Sequence, residues 1–411
     1  MGSRFSLVRL LRRNAAFRRL FAATIVSLLG DWFSFVAVSG FVAERTGRPG
    51  LTAIVYAASV LPIFFLSPLA GVIADRWDRR RLMVAADLAR IIPTLGLLAA
   101  LSLGSAPLAI ACVLTISALS AFFEPASAAA TPNLVDVADL GVAQAAMDSV
   151  WGSMLFVGAA LGGVVTATLG REASIAIDAA SFAASAALIV KIRRPFRVAQ
   201  VSHESLFGHL LEVVRFVRSH RAVAALLTTK TAVGVANGIV GLLPAYALVR
   251  FGAGDGGVGL LLAARGLGAL IGPLLAQPLV RSDGRRLLLV CGGAILTFSV
   301  AYMFLPLVGM VGFAACLVVV AHLGGGAQWM LSTYGLQRAA PDEVRGRVLS
   351  LDFGLATLSI GLSALGAGGA AEAFGLDAAC WILGGIGIAY GTSWLLWTRR
   401  LWRSPDDPIG L

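Results

Sequence analysis

Between two long apolar stretches the chain reads Gly71-Val72-Ile73-Ala74-Asp75-Arg76-Trp77-Asp78-Arg79-Arg80-Arg81. Two apolar helices must reverse direction here within a few residues, and charges that hydrocarbon rejects pin the turn to one face of a bilayer. The rest of the chain agrees. Its 411 residues are 58% hydrophobic and 13% charged, too little polar surface to cover a soluble globule. A spanning helix needs roughly 20 apolar residues, and the apolar stretches predict twelve spans, centred near residues 30, 62, 93, 117, 155, 182, 236, 269, 297, 325, 358 and 388. The 47 glycines suit helices that pack closely in lipid, where no hydrophobic effect drives them together.

Arginine-rich loops stay in the cytoplasm. The basic residues cluster at the N-terminus, in the 76–81 turn, around residues 191–221, in the turns near 281–286 and 338–347, and at the C-terminus; Arg45, Arg48, Arg171 and Arg250 fall on the opposite side. An even number of spans with both termini cytoplasmic satisfies this pattern. The net charge of +11 then reports topology and contact with anionic lipid, and nucleic acid is not expected as a partner. No cleavable leader is expected, so the first span serves as an anchor. Cys112, Cys291, Cys316 and Cys380 all fall in apolar spans without Cys-x-x-Cys spacing, which makes them packing residues. No metal and no cofactor is expected.

An offset of 205 residues superposes Pro68-Leu69 on Pro273-Leu274, Arg76 on Arg281, Asp78 on Asp283, and Arg80-Arg81-Leu82 on Arg285-Arg286-Leu287. The chain is therefore expected to hold two six-helix halves, residues 1–190 and 222–411, joined by a cytoplasmic linker at 191–221. Within the linker, Leu206, Phe207, Leu210, Leu211, Val213, Val214, Phe216 and Val217 keep helical spacing, as in an amphipathic helix lying on the membrane face.

Residues 71–80 resemble the loop between the second and third helices of major facilitator superfamily transporters, Gly-x-x-x-Asp-Arg/Lys-x-Gly-Arg-Arg. Gly71, Asp75, Arg76, Arg79 and Arg80 match, and Asp78 replaces the central Gly. Gly30-Asp31-Trp32, Phe122-Phe123-Glu124-Pro125-Ala126, Pro132-Asn133-Leu134-Val135, Asp178 with Ser181-Phe182, and Leu336-Gln337-Arg338 with Pro341 to Val348 resemble the enterobactin-exporter and macrolide-efflux branch. The resemblance implies an all-α membrane protein of twelve transmembrane helices in two repeats, working by alternating access, with its substrate near the midplane. It also implies that Asp75 meets the N-terminus of the eleventh helix and locks one conformational state, a contact favoured by the helix dipole. Arg79 would need an acidic partner at the inner end of the fourth helix, for which Glu124 and Asp136 are both candidates. Two departures stand out. The fifth helix, Met154 to Gly163, lacks the first Gly and the Pro of the antiporter pattern, and the fourth helix has no Arg to serve as the basic partner of a proton site.

A charge near the bilayer centre costs on the order of 3 kcal/mol even on the lenient insertion scale. Asp31 lies twelve residues beyond Arg19, about 18 Å inward; it is the leading proton-coupling candidate, the alternative being permanent hydrogen bonds to Ser27 or Ser34. Lys230, nine residues past Arg221 on the seventh helix, is expected to face Asp31 as an ion pair, either static or broken during transport. Asp87 and Arg90, one turn apart, are expected to satisfy each other. Asp148 is a second proton-carrier candidate, and Asp178, Arg265 and Asp352 are expected near span ends, where snorkelling accommodates them.

A membrane-embedded enzyme is excluded by its missing ingredients. His203, His209 and His220 lie in the linker, His322 stands alone, and no Gly-x-x-x-x-Gly-Lys-Ser/Thr loop is present. The expected function is proton-coupled export of an amphipathic drug, macrolide or siderophore by a monomer in a bacterial plasma membrane; import of an organic solute and lipid flipping are the alternatives. The expected partners are the small-molecule substrate, protons and the lipid bilayer.

Overall fold

The computed structural model describes residues 2–193, 206–281, 283–403, 407 and 409, with side chains at all of these except 2–6, 75 and 206–211. Among the described residues twelve helices are long and apolar enough to cross a membrane: α1 Ala15–Thr46, α2 Pro49–Ala74, α3 Arg79–Leu103, α4 Ala106–Leu134, α5 Val137–Leu169, α6 Arg171–Val190, α7 Arg221–Arg250, α8 Gly254–Val280, α9 Gly284–Leu307, α10 Val311–Ala339, α11 Asp342–Phe374 and α12 Leu376–Trp397. All twelve expected centres fall inside them. Among the described residues three further helices, Gly2–Arg13, Leu206–Ser219 and the short Arg399–Trp402, lie outside the spans, the second on the linker segment with helical spacing.

The helix ends obey local chemistry. Asn14 accepts a hydrogen bond from Phe17 N at 3.0 Å, and Ser105 one from Leu108 N at 3.4 Å, each satisfying an orphan donor of the first turn. Pro125 and Pro132 sit inside α4 and Pro273 and Pro278 inside α8, a position that spanning helices tolerate.

The 205-residue offset is visible in the backbone. Gly47 and Gly252 both have φ of 62°, and Gly170 and Gly375 have φ of 90° and 92°, conformations a side chain would oppose. Asp78 caps α3 by accepting from Arg81 N, and Asp283 caps α9 by accepting from Arg285 N, each at 2.9 Å. Asp78, where the superfamily pattern has Gly, therefore serves as an N-cap.

The described residues form two compact units. The first gathers 1–47, 58–201 and 252–263. In it α1 packs on α5 and α6, and α3 on α4 and α6, around a core that includes Leu20, Met83, Ala86, Phe123, Ala126 and Leu134. The first turns of α8 join this unit: Arg171 forks onto Asp255 with two 2.9 Å bonds and reaches Glu44 at 2.5 Å. The second unit gathers 48–57, 202–251 and 264–411. There α9 packs on α10 and α12, and α7 on α10, α11 and α12. Helix α7 is irregular in its second half, tightening into a 3₁₀ stretch over Asn237–Leu242 and widening to a π turn over Tyr246–Arg250. Such irregular backbone at membrane depth is tolerated where protein buries it, and every residue of the 3₁₀ stretch is buried.

Candidate functional site

Three charged side chains in the first unit meet deep within their spans. Arg90 on α3 is 2% exposed and hydrogen-bonds Asp87, one turn earlier, which is wholly buried. The Oδ2 of Asp31 on α1 stands 3.9 Å from Arg90 Nη1, its side chain 29% exposed. The guanidinium also donates to Ser120 Oγ at 3.2 Å and lies 4.2 Å from the Phe182 ring centroid and 5.1 Å from that of Phe123. Aromatic faces favour a cation held there.

A fourth charge completes the cluster. Asp178 on α6 is buried, accepts from Ser181 Oγ at 3.4 Å and lies within electrostatic range of Asp31 and Arg90. One oxygen of Asp178, one of Asp87, and Arg90 Nε make no hydrogen bond. The Gly30-Asp31-Trp32 phrase has a packing basis: a Cβ at Gly30 would lie 2.2 Å from Ser181 Oγ and 2.6 Å from Asp178 Oδ1. Only a glycine lets α6 bring its carboxylate beside Asp31. Gly158 on α5 does the same for Trp32, where a Cβ would sit 2.6 Å from the indole Cδ1.

Several expectations are corrected. The fourth helix has no Arg, and the arginine that does lie beside Asp31 comes from the third span, Arg90. Glu124 is not Arg79's partner, because α4 runs on through Pro125 and Pro132 to Leu134 and leaves Glu124 ten residues inside that end, about 15 Å. It is exposed there, within electrostatic range of Asp31 and Arg90. Arg79 donates to the Ala129 and Ala74 carbonyls at 2.9 and 3.3 Å, and Arg80 to the Ile192 carbonyl at 3.0 Å. Arg76 is exposed. A Cβ at Gly71 would meet nothing within 4 Å, so packing does not demand glycine there. The Asp75 side chain, like His203 and the side chain of His209, lies outside the described residues. Asp148 is exposed and accepts from Gln144 Nε2 at 3.1 Å, one turn earlier on its own helix. Among the cysteines, Cys316 is exposed while the other three are buried.

Lys230 does not pair with Asp31. In the second unit its ammonium bonds Asp352 on α11, donates to Thr333 Oγ1 at 2.7 Å and lies 4.8 Å from the Trp329 ring centroid. Both charged side chains are almost fully buried, at 3% and 2% exposed. Asp352 sits ten residues into α11, about 15 Å from its start, because that helix begins as early as Asp342. Snorkelling is closed to it. Sequence reasoning missed Asp178 and Asp352 as site residues; the signal that marked Asp31 and Lys230, a charge inside an apolar span, marked them equally.

The sequence model of the transmembrane secretion effector family matches residues 10–400. The multidrug efflux pump Tap of Mycobacterium tuberculosis (strain ATCC 25618 / H37Rv) is 28% identical over 381 residues, 89% of each chain. The Tap pump of Mycolicibacterium fortuitum is 26% identical over 373 residues, 87% of this chain and 90% of its own. Among solved structures, the nucleoside transporter NupG aligns over 93% of this chain and 99% of its own, with TM-score 0.69 and 12% identity, a likeness of fold. The chain belongs to the transmembrane secretion effector family, and is a multi-pass bacterial membrane transporter of the major facilitator superfamily rather than an enzyme.

Proposed function

We propose that this transporter exports amphipathic small molecules from the cell in exchange for protons, and that Asp31 is the group that takes up and releases the proton. The observation that carries the reading is the Asp31–Arg90 relation, a partly open carboxylate 3.9 Å from a guanidinium that is itself 2% exposed. Arg90 stays charged throughout. When Asp31 is ionised the two attract; when it is protonated that attraction is lost and Asp87 remains the carboxylate bonded directly to Arg90. A proton thus changes which contacts hold α1 to α3, the kind of local change that biases a two-state protein. Asp178 and Glu124 sharpen the effect, because protonating Asp31 relieves the crowding of like charge within the cluster. The relatives named as multidrug efflux pumps support export over import.

In this reading both termini are cytoplasmic, the protein works as a monomer, and the halves 1–190 and 222–411 alternate about the linker 191–221. The turn that holds Gly71, Asp75, Arg76, Arg79 and Arg80 acts as a conformational lock. Lys230 is an ion-pair element of the second half, and Asp148 is the second candidate proton carrier.

Inside-out membrane vesicles test the proposal. Energised vesicles should accumulate an amphipathic dye and release protons in step with it, and Asp31→Asn should abolish both while leaving dye binding. Transport with the opposite sign, or unchanged coupling in the Asn variant, would overturn the assignment.

A further inference from the structure

Among the described residues, three basic side chains lie well inside spans, and two of them have a carboxylate. Arg90 has Asp87 and Asp31, and Lys230 has Asp352. Arg265 has none among the described residues. It sits eleven residues into α8, about 16 Å from the start of that helix, too far in to reach an interface easily. Its Nη2 donates to Tyr56 Oη at 3.2 Å, and its guanidinium lies 5.5 Å from that ring's centroid. Its Nε is buried and has no acceptor.

The surroundings hold this guanidinium without neutralising it. Tyr56 Oη donates its proton to Asn237 Oδ1 at 3.0 Å, which leaves the phenol oxygen as the acceptor for Arg265. Tyr56 and Asn237 are both buried, at 5% and 6% exposed. Asn237 is also the residue at which α7 leaves α-helical geometry for the 3₁₀ stretch, so the break in α7 coincides with the arginine's hydrogen-bond chain. Tyr302 and His322, themselves joined at 3.0 Å, lie within electrostatic range of the guanidinium. Neither supplies a negative charge. A permanent cation at this depth, aimed by two neutral residues and lacking a counter-ion among the described residues, is arranged to receive one from outside.

We propose that Arg265, aimed by Tyr56 and Asn237, binds the carboxylate of an amphipathic organic substrate. An arginine fork fits a carboxylate with two parallel hydrogen bonds, one of which would satisfy the orphan Nε. The aromatic ring of Tyr56 beside it suits the apolar body of such a molecule. The inference rests on the transport reading above and adds to it the charge of the cargo.

The test uses the purified full chain in detergent and measures thermal shift with matched pairs, 2-naphthoate, 4-phenylbutanoate and dodecanoate against their carboxamides. At least one acid is expected to raise the melting midpoint of the parent at concentrations where its amide does not. Arg265→Gln should abolish that preference, and Arg265→Lys, which keeps the charge but loses the fork, should weaken the acid's apparent affinity about tenfold. If the Gln variant does not fold, the Lys variant and Tyr56→Phe carry the comparison. Equal shifts from acids and amides, no shift from any acid, or a preference that survives substitution would overturn the proposal. Loss of proton-coupled dye transport would count against the export reading alone, because ligand preference is read without a gradient.

Discussion

Asp31 stands 3.9 Å from Arg90, on a different helix, while Asp87 on Arg90's own helix takes the direct hydrogen bond. The two carboxylates are therefore unequal. Asp87 holds the direct contact with the guanidinium and is wholly buried, whereas Asp31 is partly open and is the one to which the proposal gives the proton. Asp31→Asn is expected to fold normally, bind substrate, and lose at least about a hundredfold in gradient-driven transport, the scale of a lost general acid–base group. Asp87→Asn should instead lower stability, because it leaves Arg90 without its direct partner. Detergent melting curves and vesicle transport on the two variants separate the roles. Full coupling in Asp31→Asn would shift the assignment to Asp148.

Lys230 and Asp352 allow a cleaner energetic test. Removing one partner of a buried ion pair costs about 3–5 kcal/mol, while replacing both by apolar residues of similar size is often neutral. Lys230→Met alone should thus reduce the yield of folded protein sharply, and Lys230→Met with Asp352→Leu should recover much of it. If the double variant folds yet transports poorly, the pair works in the cycle. If it transports fully, the pair is structural.

Much of the fold was legible in the chain. Twelve apolar stretches and the arginine-rich turns located every span, and the 205-residue offset reappeared as matched glycine geometry at Gly47 and Gly252 and at Gly170 and Gly375. Charges inside spans were legible as well. Their partners were not. Lys230 finds Asp352 122 residues away, and Arg265 finds Tyr56 209 residues away; helical periodicity states which face a residue occupies, but not which helix lies against that face. Glu124 was misplaced for a different reason. An apolar stretch centred near residue 117 does not state where its helix ends, and α4 runs on through Pro125 and Pro132 to Leu134.

Gly163 on α5 and Gly259 on α8 meet backbone to backbone. A Cβ at Gly163 would lie 2.6 Å from Gly259 Cα, and a Cβ at Gly259 would lie 2.3 Å from Gly163 Cα. No rotamer relieves such a clash, because the opposing atoms are main chain. Gly163→Ala or Gly259→Ala must push the helices apart, and overpacking of this kind costs typically about 1–3 kcal/mol. Both variants should melt earlier than the parent and transport more slowly. Gly152→Ala on α5 is the control, since a Cβ there would meet nothing within 4 Å. Equal behaviour of all three variants would show that the close approach has no energetic weight.

The repeat-related caps make the last prediction. Asp78 and Asp283 each accept a backbone N–H at the start of a helix, so truncation to Ala should cost about 1 kcal/mol at either position, and Asn, an equally good cap, should cost much less. Asp283 differs in one respect. Hydrogen bonds from Arg285 hold its carboxyl below the usual carboxylate range, with Arg285 and Arg286 also within ion-pair distance. A carboxylate whose folded pKa is depressed stabilises the protein above its unfolded pKa, and that contribution fades as pH falls through the lower folded value. The melting difference between the parent and Asp283→Asn should therefore be full at neutral pH and shrink below about pH 4, the ordinary Asp range. Added salt should shrink it too, because the arginine partners are exposed to solvent, at 39% and 50%. A difference independent of pH and salt would mean that the carboxylate acts at this turn only as a neutral cap.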